Sequence, residues 1–447
     1  MAEGPRTTTN GHGLEELFEL LRIRSVSSDG KHPAELREAA DWVSRLIGDA
    51  RVVEGYGNPI VDGLIPASAD GAPTVVAYGH YDVQAPGPRE LWLSDPFEPE
   101  VRDQWLYARG ASDDKGNFYA LLRSALDLAA EGNLPVNVRV LADGEEEIGG
   151  HSVLDYLETI PEQLDAAVIF DGGMADAETP AITNGLRGLV GFQVKVTSAD
   201  KELHSGLYGG VAADAVRDLM TVLSAVIGTP DILAAGVSPP SDSELAGWKT
   251  LRSGAEMLAD GGARPTDGTA AEEFYVRTGA RPSLTVHSVA AGDPTLHKTS
   301  ISPYALASLS LRLAPGQDPA PMAVELERLL RDACPAHAEL ELTPWSSGEP
   351  ALVPPDDPIL RAGAAAIERA TGVAPLTVRS GGSIPIMAAL VARGTPTVLS
   401  GFGSAEDNIH SPNERIRLRN LEWAHASARE LFLEFGTAIR DGSPAGA

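Results

Sequence analysis

The sequence predicts an α/β domain that is interrupted by a smaller, inserted α+β domain. Short apolar runs such as 74–78 alternate with helical periodicities, as is typical of strands buried on both faces of a sheet. Between about 189 and 345 the pattern changes to alternating apolar and polar residues, which is typical of a half-exposed antiparallel sheet. We therefore expect one discontinuous domain over 1–188 and 349–447, and an inserted domain over 189–348.

The first domain is predicted to open with two amphipathic helices, because apolar residues recur at helical spacing over 14–21 and 36–47. The run 74–78 then forms a strand. A longer helix is expected directly after Asp113, with its apolar positions spread over 118–129. The remaining predicted elements of this domain are the strands 136–141, 166–170 and 397–399 and the helices 359–370 and 421–435.

The inserted domain is predicted to follow the order strand, helix, strand, strand, helix, strand. Phe192, Val194 and Val196 alternate with polar residues and mark its first strand. This order is typical of a ferredoxin-like sandwich. The following elements are the helix 212–227, the strands 284–289 and 306–313, the helix 320–331 and the strand 339–342.

Composition excludes several classes of function. A chain of 447 residues is too long for one compact core, and its formal charge of -28 argues against partners such as nucleic acids and anionic membranes. The single cysteine, Cys334, rules out an internal disulfide and a cysteine-based metal site. No apolar run approaches the ~20 residues of a membrane span. Residues 1–13 are expected to be a disordered tail, and the protein is expected to be cytoplasmic.

Histidine and carboxylate side chains follow most of the predicted strand ends, where open α/β sheets bind their ligands. Zinc takes His nitrogen and carboxylate oxygen, and two zinc ions ~3.5–4 Å apart need a bridging carboxylate. The sequence therefore predicts a site for two metal ions. Asp82, two residues after His80, is expected to orient the imidazole of that histidine. The predicted metal ligands are His80 and His410, one for each ion, Asp113 as the bridge, and Glu147 and Asp171.

Each of these residues has a simpler explanation when it is considered alone. Asp113 is a good helix N-cap, and the acidic residues Glu145 to Glu147 are typical of a solvated turn. Asp171 is a good cap for the next turn, and a single His after a strand is most often a polar loop residue. Their joint placement at strand ends is what indicates the metal site.

Five motifs, in order along the chain, carry a resemblance to a known family. They are Gly79-His80-Tyr81-Asp82-Val83, Gly110-Ala111-Ser112-Asp113-Asp114-Lys115-Gly116, Glu146-Glu147-Ile148-Gly149, Leu203-His204-Ser205-Gly206-Leu207-Tyr208-Gly209-Gly210 and Gly381-Gly382-Ser383-Ile384-Pro385. The set resembles the co-catalytic zinc peptidases that include carnosinase, carboxypeptidase G and succinyl-diaminopimelate desuccinylase. The fourth motif is most similar to the carnosinase-like dipeptidases. The resemblance extends over about 14–435.

The resemblance implies a dipeptidase that hydrolyses the amide bond of short peptides with a free C-terminal carboxylate. Two Zn²⁺ ions per chain would hold a bridging hydroxide, with Mn²⁺ or Co²⁺ as alternative metals. Glu146 would be the general base, with Glu145 as the alternative, and the peptide bond between Asp113 and Asp114 would be cis. Asp171, rather than Glu, resembles the aminopeptidase and dipeptidase members. The alternatives are an N-acyl-amino-acid deacylase or desuccinylase of the same fold and a non-catalytic ligand-binding relative.

The resemblance also implies that the inserted domain is a lid and dimerisation domain of a homodimer. His204 would reach the active site of the partner subunit and stabilise the oxyanion. Arg312, Ser383 and Gly382 would bind the substrate carboxylate. Taken alone, His204 is typical of a surface turn and Arg312 of a solvated strand position. Ser380 departs from the family pattern, which commonly has an acidic residue before Gly-Gly-Ser, so the side-chain preference of the enzyme stays open.

Overall fold

The computed structural model consists of two compact units, each formed by separate stretches of the chain. The described residues are 14–227, 232–293 and 295–442. The first unit comprises Met1–Asn184, Val353–Val378 and Ala389–Ala447, and the second comprises Gly185–Leu352 and Arg379–Ala388. The second unit therefore includes a short stretch beyond the expected boundary at 348. The expected disordered tail over 1–13 lies outside the described residues.

Helices and strands occur in both units. The helices are α1 (Glu15–Arg22), α2 (Pro33–Ile47), α3 (Lys115–Ala130), α4 (Ser152–Glu158), α5 (Ser205–Tyr208), α6 (Ala215–Ile227), α7 (Asp242–Trp248), α8 (Gly254–Asp260), α9 (Phe274–Gly279), α10 (Pro319–Asp332), α11 (Pro358–Thr371), α12 (Pro385–Ala392) and α13 (Leu418–Gly442). Short 3-10 turns occupy Arg89–Leu91, Glu146–Ile148 and Ile232–Ala234.

The strands differ in length, from two residues in β10 to ten in β9, and most of those in the first unit are buried. They are β1 (Ala50–Val53), β2 (Ile60–Ile65), β3 (Thr74–His80), β4 (Glu100–Arg102), β5 (Trp105–Tyr107), β6 (Asn137–Asp143), β7 (Ala166–Ile169), β8 (Ala181–Leu186), β9 (Gly188–Thr197), β10 (Leu203–His204), β11 (Ser283–Ala290), β12 (Ser300–Ile301), β13 (Tyr304–Leu313), β14 (Glu339–Gly348), β15 (Ala351–Leu352), β16 (Leu376–Ser380), β17 (Thr397–Leu399) and β18 (Arg415–Arg417).

The main sheet of the first unit places its parallel strands in the centre. The order of its strands is β1-β2-β6-β3-β7-β17-β8. β3 pairs in parallel with both β6 and β7, and β17 pairs in parallel with β7. These central strands are covered on both faces, which explains why their sequences are continuous apolar runs. Their carboxyl ends therefore lie along one edge of the sheet. The predicted mixed α/β class is confirmed.

Helix α3 is buried along most of its length, and its first residue ties it to α1. The Lys115 ammonium donates to the carbonyl oxygens of Leu20 (3.0 Å) and Ile23 (2.7 Å), at the C-terminal end of α1. Carbonyl oxygens at the C-terminal end of a helix favour a positive charge. Burial lowers the pKa of Lys115 to about 7. The contact fixes the start of α3, and with it the residues just before the helix.

The second unit is built on a four-stranded antiparallel sheet in the order β11-β13-β9-β14, with α6 and α10 packed against it. Helix α6 lies between β9 and β11 in the chain, and β13 separates these two strands in the sheet. This arrangement is that of the predicted ferredoxin-like sandwich. Leu309, Leu311 and Leu313 are buried on the helix side, whereas Arg312, between them, is half-buried.

A buried ion pair within the second unit joins Glu244, on helix α7, to Arg379. The Arg379 guanidinium donates to both carboxylate oxygens of Glu244, at 2.7 and 3.1 Å, and to the carbonyl of Ser238 at 2.8 Å. Arg379 comes directly before Ser380 and the Gly-Gly-Ser turn, so the pair anchors the start of that turn.

Within the part of the chain that the structure describes, none of the helices combines the length and the apolar character that a membrane span needs.

Candidate metal centre

The five predicted ligands come together at the carboxyl edge of the parallel strands in the first unit. His80 is the last residue of β3, and Asp171 comes two residues after β7. Glu147 lies in the turn after β6, and Asp113 comes two residues before α3. His410 lies in the loop between β17 and β18. Neighbouring parallel strands therefore deliver side chains to one place, although the residues are far apart in sequence.

The ligand atoms form two groups that share Asp113. Asp113 Oδ1 lies 3.0 Å from His80 Nε2, and Asp113 Oδ2 lies 2.9 Å from His410 Nε2. Asp171 Oδ1 is 3.9 Å from His80 Nε2, and Glu147 Oε2 is 2.9 Å from His410 Nε2. Within each group the ligand atoms all lie within 4.8 Å of one another.

His80 is held in one orientation by Asp82. Its Nδ1 lies 3.1 Å from the backbone carbonyl oxygen of Asp82, which can only accept, so Nδ1 donates to that oxygen and Nε2 faces the cluster. The Asp82 carboxylate lies 3.5 Å from the same nitrogen. It also accepts hydrogen bonds from the Ser27 hydroxyl (2.6 Å) and from the amides of Glu146 (3.3 Å) and Glu147 (3.2 Å). Asp82 therefore positions the acidic turn as well as the imidazole.

The three adjacent glutamates after β6 have different surroundings. The Glu145 carboxylate is buried and accepts hydrogen bonds from the amides of Asn58 (2.9 Å) and Ser152 (2.8 Å). Glu147 faces His410, as described above. The Glu146 carboxylate accepts no hydrogen bond within the described part of the chain and lies among the other acidic groups of the cluster. Glu145 is thus engaged by the backbone, whereas Glu146 keeps a free carboxylate.

The cluster carries more negative than positive charge. Burial raises the pKa of Asp171 and Glu146, and the charge of Asp113 adds to both shifts. Burial would also raise the pKa of Asp113, but hydrogen bonds with His410 and His80 lower it overall. Hydrogen bonding to Asp113 is the largest cause that raises the pKa of His410, to about 10. Cations bound among these groups would relieve the repulsion between the carboxylates.

The donor set fits a pair of divalent cations. Imidazole nitrogen and carboxylate oxygen are the ligands that zinc takes in sites without cysteine. The decisive feature is Asp113, because each of its oxygens faces a different imidazole, as in a carboxylate that bridges two ions. The simpler explanation of Asp113 as a helix N-cap is wrong, because no side chain caps the N-terminus of α3.

Comparison with known proteins identifies the family. The sequence model of peptidase family M20/M25/M40 matches residues 76–434. The chain belongs to this peptidase family. It is 30% identical to the cysteinylglycine-S-conjugate dipeptidase of Corynebacterium striatum, over 95% of each chain. It is 29% identical to the Beta-Ala-His dipeptidase of Homo sapiens, over 93% of this chain and 84% of that protein.

A solved structure shows that the similarity to other M20 peptidases includes the fold. An M20 family metallo-carboxypeptidase from Sulfolobus solfataricus superimposes with a TM-score of 0.83 at 25% identity, over 95% of this chain and 99% of that chain. The family resemblance predicted from the five motifs is therefore confirmed, and the M20 peptidase is a hydrolase.

The loop that carries His410 has an unusual backbone. Asn408, His410 and Asn413 have φ angles of +55°, +61° and +63°, in the left-handed region that residues other than glycine rarely adopt. Each such residue costs on the order of 1 kcal/mol and persists only where surrounding contacts fix it. The Asn413 side chain provides such contacts, because it accepts from the amide of Leu93 (2.8 Å) and donates to the carbonyl of Leu91 (2.9 Å).

Glu414 organises the loop before α3, and sequence reasoning missed it. Its buried carboxylate accepts from the Arg109 guanidinium at 2.6 Å and from the amides of Gly110 (3.0 Å), Ser112 (3.0 Å) and Asp113 (3.1 Å). The contact joins residues about three hundred positions apart, so no local pattern predicts it. Glu414 therefore fixes the backbone from which Asp113 projects.

Asp114 supports the other side of the same loop. Its carboxyl oxygen Oδ2 accepts from the amide of His80 at 3.3 Å, and the side chain is buried. Burial raises the pKa of Asp114 well above its usual value, which favours the neutral form. The peptide bond between Asp113 and Asp114 is cis, as the family resemblance predicts.

The other predicted site residues lie in the second unit. His204 is exposed and caps the short helix α5, where its Nδ1 accepts from the amide of Gly206 at 3.0 Å. Arg312 projects from β13 and donates to the Ser383 hydroxyl at 3.1 Å. Gly382 lies beside Ser383, and its carbonyl accepts from the amide of Arg187 at 3.2 Å. Arg312 and the Gly-Gly-Ser turn are thus in contact within this unit.

We predict that Glu414→Gln destabilises the protein and loosens the loop before α3. The substitution leaves the buried Arg109 charge without its carboxylate partner, which typically costs about 3–5 kcal/mol. Denaturant unfolding measures the loss, and hydrogen exchange should speed up at the amides of Ser112 and Asp113. Glu98→Gln is the control, since Glu98 pairs with Arg22 at the surface, and its stability should stay near that of the parent. Unchanged exchange at those amides in Glu414→Gln would contradict the assignment.

Proposed function

We propose that this M20 peptidase is a metal-dependent dipeptidase that hydrolyses the amide bond of short peptides with a free C-terminal carboxylate. The observation that carries the proposal is the position of Asp113 between His80 and His410. The names of the relatives from Corynebacterium striatum and Homo sapiens, both dipeptidases, support the substrate class. Both relatives align along most of this chain, so the likeness is not limited to one motif.

Two metal ions are proposed to bind in the first unit. His80 and Asp171 would hold one ion, His410 and Glu147 would hold the other, and Asp113 would bridge them. Zinc is the metal that we propose, because the donors are nitrogen and oxygen, with manganese and cobalt as the alternatives. When bound, such a pair lowers the pKa of a water molecule and polarises the scissile carbonyl.

Glu146 is proposed as the general base. Its carboxylate has no hydrogen bond from the described residues and follows directly on the buried, amide-bound Glu145. Burial raises the pKa of Glu146, which makes its carboxylate a better proton acceptor. It would take the proton from the attacking water and pass it to the leaving amine. Asp82 would support both steps, since it holds the amide of Glu146 and lies against His80.

The second unit is proposed to recognise the substrate and to form a homodimer. Arg312 and Ser383, with Gly382 beside them, would bind the substrate carboxylate through the planar fork of the guanidinium. His204 would act in the active site of the partner subunit, where an imidazole N–H can stabilise an oxyanion. An exposed imidazole on a capped turn is suited to such a contact. We propose that the enzyme works in the cytoplasm.

We predict that Glu146→Gln retains the metals and loses turnover. Because Gln cannot accept the proton, kcat should fall by about 10²–10⁴-fold. Elemental analysis should still find about two metal ions per chain. Chelation of the parent enzyme should abolish activity, and added Zn²⁺, Mn²⁺ or Co²⁺ should restore it. Glu145→Gln is the matched control, and it should lose stability more than kcat, since its carboxylate binds backbone amides. Full turnover by Glu146→Gln would contradict the proposed role of Glu146 as the general base.

We predict that the enzyme cleaves dipeptides faster than N-acyl amino acids, which share the amide bond and the free carboxylate but lack a free amino end. Cysteinylglycine, its S-conjugates and β-alanylhistidine are the dipeptides to test, because the relatives are named for such peptides. N-acetyl and N-succinyl amino acids test the deacylase alternative. Rates measured by amino-acid release should favour the dipeptides. Faster cleavage of the N-acyl compounds would replace the dipeptidase proposal with the deacylase.

We predict that two inactive variants complement each other in a mixed dimer. His204→Ala and Glu146→Gln should each be inactive alone. After mixing and subunit exchange, a hybrid dimer would contain one site with an intact Glu146 and the partner's intact His204. With random exchange, about a quarter of the parent activity should return. Absence of any recovery in a mixture shown to exchange subunits would remove the proposed role of His204.

A further inference from the structure

Two arginine side chains in the second unit lie close together without a carboxylate partner. Arg187 and Arg312 are both half-buried, and neither forms an ion pair within the described residues. The chain has 63 acidic residues against 35 basic ones, so acidic partners are plentiful. A pair of guanidinium groups left unpaired in such a chain suggests that their counter-ion is a ligand.

Both guanidinium groups are attached to the same turn. Arg312 Nη1 donates to the Ser383 hydroxyl at 3.1 Å, and that hydroxyl donates to the backbone carbonyl of Arg187. Arg187 Nε donates to the carbonyl of Gly381 at 3.2 Å, at the start of the same turn. Arg187 Nη1 also donates to the Ser283 hydroxyl at 2.8 Å, and Ser283 pairs with Arg312 across the strands β11 and β13.

The remaining donors of the pair have no protein acceptor. Arg187 Nη2 and the Nε and Nη2 groups of Arg312 make no hydrogen bond within the described part of the chain. Burial, together with the charge of Arg312, lowers the pKa of Arg187 to about 10. Arg187 therefore stays charged at neutral pH, and an anion bound to both guanidinium groups would reduce the repulsion between the two cations.

We propose that Arg187 is a second guanidinium of the carboxylate subsite, so that the free carboxylate of the peptide is bound by Arg187 and Arg312 together. This proposal rests on the role proposed above for Arg312 and Ser383. A planar carboxylate offers several lone pairs, and two guanidinium groups can donate to it without competing. The subsite selects for a full negative charge, because a neutral amide would leave the two cations uncompensated.

The test compares a dipeptide with its C-terminal amide. Cysteinylglycine and cysteinylglycinamide are titrated by calorimetry into the metal-loaded Glu146→Gln chain, which should not turn them over and which serves as the parent in this test. The parent should prefer the acid. Arg187→Gln keeps a donor for the carbonyl of Gly381 but lacks the charge, so affinity for the acid should fall about tenfold or more while affinity for the amide stays unchanged. Arg281→Gln is the matched control, because Arg281 already pairs with Glu273 at the surface.

The outcomes separate this inference from the proposed function. If Arg187→Gln weakens acid and amide equally, Arg187 only shapes the turn and the inference is overturned. If Arg312→Gln removes the preference and Arg187→Gln does not, the inference is overturned and the role of Arg312 stands. If the parent shows no preference for the acid, both carboxylate assignments are overturned. Turnover is measured separately, because the calorimetric preference for the acid does not depend on it.

Discussion

The first unit depends on one shared carboxylate. One Asp113 oxygen faces His80 and the other faces His410. The position of Asp113 therefore decides whether the two groups of ligand atoms can share one carboxylate. An aspartate has a short side chain, and its reach is therefore set by its backbone. That backbone is held by Glu414, which accepts from the amide of Asp113 itself, and by the start of α3, where Lys115 binds the end of α1. Local order at Asp113 is thus maintained by contacts from distant parts of the chain.

The parallel sheet supplies the second constraint. Strands β6, β3, β7 and β17 are neighbours, so the residues that follow them are brought to one edge without long side chains. Carboxylates gathered in this way repel one another, and burial strengthens the repulsion. The structure separates the roles of the three glutamates after β6 by giving them different partners. Glu145 is engaged by backbone amides, Glu147 by His410, and Glu146 by neither.

The two units carry uncompensated charge of opposite sign. The first gathers carboxylates that favour cations, and the second gathers Arg187 and Arg312, which favour an anion. In the second unit, the buried pair of Arg379 and Glu244 fixes the strand just before the Gly-Gly-Ser turn. The turn itself is therefore held by charged groups on both of its sides.

The sequence by itself determined the α/β class, the ferredoxin-like order of the second unit and the set of His and acidic residues at strand ends. These features depend on apolar periodicity and on position relative to strands, which are local properties of the chain. Only the tertiary structure decided which glutamate is free, where the Asp82 carboxylate binds, that Glu414 holds the loop of Asp113, and that Arg187 lies near Arg312. Those facts depend on contacts between residues up to about three hundred positions apart, and no local pattern encodes such contacts.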